Sequence, residues 1–220
     1  MSLALRDVTH RYAPGGPPVL RELSFVFPAD HSVAVVGPSG SGKTTLLAIA
    51  GLLTRPSEGE VLIDGAAVTA GRAAELRTRL FAWVFQTVNV LSARTVEDNA
   101  MLGLLARGVG EGEAREEAQG ALATVGLGEL GGRTANSLSG GELQRLCIAR
   151  AIAARPRFLL ADEPTGQLDR ATTERVTRAL IEGRPAGTTL LVVTHDARVA
   201  AQCDLTLALQ DGQLSIGGVA

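Results

Sequence analysis

Residues 32–44 read Ser-Val-Ala-Val-Val-Gly-Pro-Ser-Gly-Ser-Gly-Lys-Thr. The run Ser32–Val36 (SVAVV) is continuously apolar after its first residue rather than alternating, the pattern of a strand covered on both faces, as in a parallel sheet. Two other short runs share it: Phe158–Ala161 (FLLA) and Leu190–Val193 (LLVV). Each ends in polar or glycine-rich chemistry, in turn GPSGSGKT, DEPTG and THD. In open α/β sheets ligands bind beyond the carboxyl ends of the strands. Three such ends, carrying phosphate-, metal- and proton-handling residue types, are therefore expected to converge on one site.

The first of these ends is the most specific. Gly37-Pro38-Ser39-Gly40-Ser41-Gly42-Lys43-Thr44, followed by Thr45, matches GxxxxGK[ST] between an expected strand and an expected helix. Glycines let successive backbone N–H groups turn inward around phosphate oxygens, and the helix N-terminus adds its positive dipole end. Lys43 supplies a point charge for the β- and γ-phosphates, and the Thr44 hydroxyl can ligate Mg²⁺. The bland alternative is a glycine-rich turn without a ligand. Lys43 is the chain's one lysine, and with 26 glycines in 220 residues it would acquire these neighbours by chance roughly two times in a thousand. Nucleotide binding is the better reading.

A length of 220 residues allows one α/β domain with a sizeable core or at most two small ones, and a composition of 45% hydrophobic and 20% charged residues, with formal net charge −2, fits a folded soluble protein. Arginines are scattered rather than gathered into a stripe, so nothing supports a nucleic-acid partner. Cys147 and Cys203 lack metal-ligand spacing and read as free buried thiols. The start, MSLALRDVTH, lacks the layout of a signal peptide, and no segment approaches the roughly 18 apolar residues that cross a bilayer. Any membrane-spanning part is expected to come from another protein.

Around the apolar runs the pattern changes. Residues Leu3 to Pro28 alternate and contain a Pro/Gly-rich turn (Ala13 to Pro18), predicting two antiparallel strands, with a further strand at Gly59 to Asp64. LTLAL-QDG-QLSI predicts a hairpin turning at Asp211-Gly212. Arg94 to Arg133 is helix-rich between glycine turn signals, and its acidic stretch EGEAREE (Glu111 to Glu117) reads as a solvated helix face.

Phe158 to Glu163 is an apolar strand ending in two carboxylates. Beside a phosphate loop, Asp162 is placed to hold Mg²⁺ through water, leaving Glu163 to orient or deprotonate the attacking water. His195 follows the third apolar run, where its imidazole could contact the γ-phosphate or the water.

Several P-loop classes share those features. Leu138-Ser139-Gly140-Gly141-Glu142, running into LQRLCIARAIAARP, separates them. It resembles the LSGGQ signature and basic helix of ABC ATPases, with Glu142 in the glutamine position, as in the lipoprotein-releasing, macrolide-exporting and cell-division ATP-binding subunits. The same residues also read as a capping box, Ser139 with Glu142 three residues on, and the two readings are compatible. The resemblance covers essentially the whole chain. Within it, Tyr12 is similar to the aromatic residue that stacks on adenine, Gln86 (FAWVFQ) to the glutamine that senses Mg²⁺ and the membrane partner, and Asp169 (GQLD) to the loop that communicates across the dimer. ADEPTG and TVEDN are similar to the lipoprotein/macrolide subfamily, which commonly has asparagine where this chain has Gln167.

The resemblance implies a P-loop NTPase core of α/β class, with a mixed, mainly parallel sheet, an N-terminal antiparallel β part and an inserted helical subdomain. Residues 1–93 and 155–220 would form the sheet-containing core, and 94–154 the helical part with the signature. It further implies ATP hydrolysis with Mg²⁺ and a partner ATPase subunit, identical or paralogous, with Leu138–Glu142 of one capping ATP held by the other. An integral membrane permease would dock near Gln86 to Leu105, placing the chain peripherally on the inner, cytoplasmic face of the membrane. An ATP-gated regulator of the cell-division type remains open as an alternative. A P-loop kinase of small molecules is disfavoured by the LSGGE segment.

Overall fold

The three apolar runs are the heart of one sheet because each residue has a core on its own side. In the computed structural model, which describes residues 1–166 and 168–217, β1 spans Leu3–His10, β2 Leu20–Phe27, β3 Ser32–Val36 and α1 Lys43–Ala50. Then come β4 (Glu58–Ile63), β5 (Ala66–Ala67), α2 (Ala70–Leu80), β6 (Phe81–Val84), α3 (Val96–Leu105) and α4 (Glu111–Thr124). The chain continues through α5 (Gly140–Ala153), β7 (Phe158–Asp162), α6 (Arg170–Glu182), β8 (Thr189–Val193), α7 (Ala197–Ala200), β9 (Leu205–Gln210) and β10 (Gln213–Ile216). Gln167, where the subfamily commonly has asparagine, lies outside the described residues.

One sheet runs β10-β9-β3-β8-β7-β6, with β9, β3, β8, β7 and β6 paired in parallel and β10 antiparallel at the edge. Successive side chains of a strand point to opposite faces. Leu159, Ala161, Leu190 and Val192 accordingly enter a core shared with α3, α4 and α5, while Leu160, Leu191, Val193, Val33 and Val35 enter a second core beneath α1. Two cores, one per face, are why these strands carry no polar alternation. Fully burying a Leu or Val contributes about 1.5–3 kcal/mol each, so the sheet centre is the most costly place to perturb.

The second sheet, β2-β1-β4-β5, is antiparallel and packs its apolar face onto the α1 side. It contains the two strands expected from Leu3 to Pro28, and the strand expected at Gly59 to Asp64 begins one residue earlier. The β9–β10 hairpin turns at Asp211 and Gly212, with φ of 51° and 78°, the type I′ geometry. Between β6 and β7 the chain builds the helical layer: α3 begins with a Thr95–Asp98 capping box, and α4 buries Ala114, Ala118, Ala121 and Leu122. The acidic residues of α4 face outward, Glu111 meeting Arg115 and Glu117 meeting Arg155. Cys147 is a buried free thiol as expected, whereas Cys203, between α7 and β9, is only half-buried, because it follows a short helix at the sheet margin. No helix among the described residues is long and apolar enough to cross a membrane.

Candidate functional site

Parallel pairing of β3, β8 and β7 brings three strand ends to one edge, and the residues following them share one cleft. Tyr12, Ser39, Gly40, Gly42, Lys43, Thr44, Thr45, Gln86, Glu163 and His195 line a hollow of about 510 Å³. Its floor is the phosphate loop. Gly42 takes φ 100° as the N-cap of α1, and a Cβ there would come within 3.0 Å of the Leu20 and Val19 side chains, so the turn into the helix needs glycine. Gly37, Pro38 and Ser41 do not line the cleft but shape the loop: Ser41 N donates to Pro38 O at 3.2 Å. Lys43 Nζ donates to Gly37 O at 2.9 Å and Pro38 O at 3.0 Å. An ammonium has three donors. Two of them tie the loop around its own lysine, leaving the third for the cleft.

Thr44 Oγ1 donates to Asp162 Oδ1 at 3.2 Å. Burial raises the Asp162 carboxyl above its usual value; the Thr44 bond opposes this, the Glu163 charge adds to it, and Lys43 acts against it. A half-buried carboxylate with so little compensation, beside a hydroxyl, suits a hard dication. Among the described residues no group of three or more His, Cys, Asp or Glu could form a metal cage. Such a pair of oxygens matches Mg²⁺ that is held largely by substrate phosphates and water.

Glu163 sits at φ 44°, a left-handed conformation uncommon for a side chain of this size. Its N–H still donates to Val193 O at 2.9 Å, extending the β7–β8 ladder by one residue and swinging the carboxylate over the strand ends. Glu163 Oε2 accepts from His195 Nδ1 at 2.9 Å and, more weakly, from His195 N at 3.4 Å. Glu163 is mostly buried (side chain 16% exposed) and His195 mostly open (68%), so the imidazole buttresses the acid from the solvent side. Tyr12 is 74% exposed, its hydroxyl 2.6 Å from Thr45 Oγ1 and its ring edge-on to His10 at 5.1 Å. That leaves an aromatic surface free at the cleft's lip.

Leu138–Glu142 lies apart: none of these residues lines the cleft. Ser139 caps α5 in a capping box, with Ser139 N and Oγ both donating to Glu142 Oε2 at 2.7 Å, and Leu138 is buried beneath. The Ser139 side-chain and backbone hydrogen bonds hold the Glu142 carboxyl below its usual value. Ser139 and Gly140 are exposed. A Cβ on Gly141 would stand 2.7 Å from Thr172 Cγ2. Thr172 is in turn the residue that Asp169 holds, accepting from its N at 3.0 Å and its Oγ1 at 2.7 Å as the N-cap of α6. Asp169 and the LSGGE turn are thus in contact through one threonine.

Gln86 closes the cleft from the loop after β6. Trp83 and Phe85 stack there, centroids 5.4 Å apart and planes 8° from parallel. Sequence reasoning gave no role to the residues that hold this loop. Arg150 donates to Asn89 O at 2.7 Å and Oδ1 at 2.5 Å, and Gln144, buried on the same helix α5, donates to Phe85 O at 3.4 Å. Asn99, fully buried on α3, accepts from Leu91 N at 2.7 Å and donates to Leu91 O at 3.0 Å and Thr95 O at 2.9 Å. A usable signal existed in Asn99: it is a polar residue on the apolar side of a capped helix, between Val96 and Ala100. The loop after Gln86 is therefore carried jointly by α5, the helix that begins with the signature, and by α3. Arg150→Ala removes two charge-assisted bonds at a partly open site, about 1.5 kcal/mol. Amide exchange in residues 86–93 is expected to quicken roughly tenfold by mass spectrometry, with little change in the β7–β8 strands.

The family model for "ABC transporter" matches residues 20–166. The lipoprotein-releasing system ATP-binding protein LolD of Ruegeria pomeroyi is 44% identical over 222 residues, covering 97% of each chain. The macrolide export ATP-binding/permease protein MacB of Bordetella avium is 39% identical over 217 residues, 96% of this chain but 33% of that protein. Among solved structures, the dimeric cassette MJ0796 superposes with TM-score 0.84 at 33% identity, covering 99% of this chain and 100% of that one, and it has also been solved as a post-hydrolysis dimer with ADP and Pi. With the family model matching residues 20–166 and relatives aligned over nearly the whole chain, the chain belongs to the ABC transporter family as one of its ATP-binding, ATP-hydrolysing cassettes.

Proposed function

We propose that this cassette closes head to tail with a second ATPase subunit over two ATP molecules and so drives a separate membrane permease. The observation that supports it is the separation of the two phosphate-binding elements. The N-terminus of α5 is capped, exposed and outside the chain's own cleft. A helix N-terminus of that kind attracts anions. The nucleotide it reaches would be one held by Lys43 of a partner.

In this reading Gly37–Thr45 grip the phosphates and Tyr12 stacks on the base. Thr44 and Asp162, with Gln86 across the cleft, would hold Mg²⁺, which when bound neutralises charge on the β- and γ-phosphates. Glu163 orients or deprotonates the attacking water, and His195 fixes the Glu163 carboxylate. Closure then depends on the γ-phosphate, and hydrolysis releases it, giving a two-state switch. Residues 94–154 would move as a helical unit against the core of 1–93 and 155–220, since α3, α4 and α5 pack chiefly on one another and on one sheet face. The permease would dock on 86–105, where Leu91 and Leu105 are 50% and 42% exposed. This would hold the cassette on the inner face of the membrane. The relatives named for lipoprotein release and macrolide export favour transport over a purely regulatory role.

Ser139→Arg tests the trans arrangement. Placed in Glu163→Gln protein, it is expected to keep each monomer's ATP binding while abolishing the ATP-dependent dimer in sedimentation velocity. A dimer of undiminished strength would remove the signature from the interface.

A further inference from the structure

Behind the signature turn lies a second cationic hollow that the ATP cycle does not use. The end of α4 at residues 124–126, Arg145 of α5, and Arg175, Arg178 and Glu182 of α6 enclose about 440 Å³. Arg145 donates through one terminal nitrogen to Val125 O at 2.8 Å and Gly126 O at 3.4 Å, but its Nε is buried with no acceptor. Among the described residues Arg175 donates only to the Thr172 hydroxyl, at 3.3 Å. Neither arginine forms an ion pair among the described residues, and Arg178 reaches Glu182 only at 4.0 Å. Burial and then the charge of Arg175 lower the Arg145 pKa, with Glu142 compensating in part. Three guanidiniums line the hollow with one carboxylate, the weakly engaged Glu182, so positive charge is in excess there.

A guanidinium fork is built to meet oxyanions through paired N–H groups, and a tetrahedral phosphate offers acceptors in several directions at once. The hollow is also within the size range of small-molecule sites. We propose that it binds a soluble, phosphate-bearing anion through Arg145, Arg175 and Arg178, at a site separate from the nucleotide cleft. Its position gives the ligand leverage. Arg145 lies one helical turn beyond Glu142, and Arg175 is bonded to the Thr172 that Asp169 holds and Gly141 touches. An anion bridging α5 and α6 ties the signature turn to the Asp169 turn.

The test is calorimetric titration of inorganic pyrophosphate into protein saturated with ADP, comparing wild type with Arg175→Glu/Arg178→Glu. Both positions are exposed on α6 and outside the nucleotide cleft, so ADP affinity should match wild type. The expected result is saturable pyrophosphate binding in wild type, weakened at least tenfold in the double variant. Should the double variant fail to fold, Arg178→Gln gives the same reading with a smaller loss. Absence of binding, or equal binding by wild type and variant, overturns the proposal, the latter by placing the anion in the nucleotide cleft. Arginine-dependent co-sedimentation with phosphatidylglycerol vesicles, without pyrophosphate binding, also overturns it by assigning the site to lipid phosphate.

Discussion

Glu163→Gln is expected to lower ATP turnover by 10²–10⁴-fold, about 3–5 kcal/mol of barrier, while leaving ATP affinity nearly unchanged. The side chain keeps its size and an oxygen able to accept from His195, so the 2.9 Å contact and the left-handed backbone at 163 survive. What disappears is the negative charge that, in the role proposed for Glu163, would draw a proton from water. If hydrolysis ends the closed state, the variant should also accumulate as an ATP-bound dimer, visible as a doubled mass in light scattering with ATP and not with ADP. Single-turnover hydrolysis within a few-fold of wild type would remove Glu163 as the base.

Lys43→Ala acts earlier. Lys43 is nine-tenths buried and its ammonium already donates to the Gly37 and Pro38 carbonyls. Its loss removes the charge facing the phosphates, takes the donor from Gly37 O and leaves Pro38 O with Ser41 N alone, so the loop loses its ligand contact and most of its internal brace. Removing one partner of a desolvated charge pair costs about 2–5 kcal/mol, so ATP affinity should fall by roughly 30-fold or more in calorimetry. Asp162 also loses an attractive neighbour, which favours its protonated form and weakens the cation site further. Binding of ATP at wild-type strength would contradict the role given to this loop.

The architecture was legible where local pattern and global burial agree. SVAVV after its serine, FLLA and LLVV are apolar without alternation because the sheet has a core on each face, and their polar ends lie together because parallel strands finish on the same side. Phe81–Val84 gives no comparable warning: it is short, follows α2 without a turn, and becomes a strand by pairing with β7. The cleft residues announced themselves through chemistry at strand ends. The bracing did not. Arg150 and Asn89 are 61 residues apart, and Gln144 and Phe85 are 59 apart, so no local window contains both halves of either contact. The left-handed backbone at Glu163 is likewise imposed by the neighbouring strand's carbonyl rather than by the local sequence.

The stack of Trp83 on Phe85 has a use beyond holding the loop. It involves the one indole in the chain, one residue away from Gln86 through its phenyl partner. Any shift of that loop against β6 changes the ring overlap and hence the emission of a single fluorophore, uncontaminated by a second. The packing of this cassette has thereby installed an optical gauge at the joint between its nucleotide and the surface where a permease would sit.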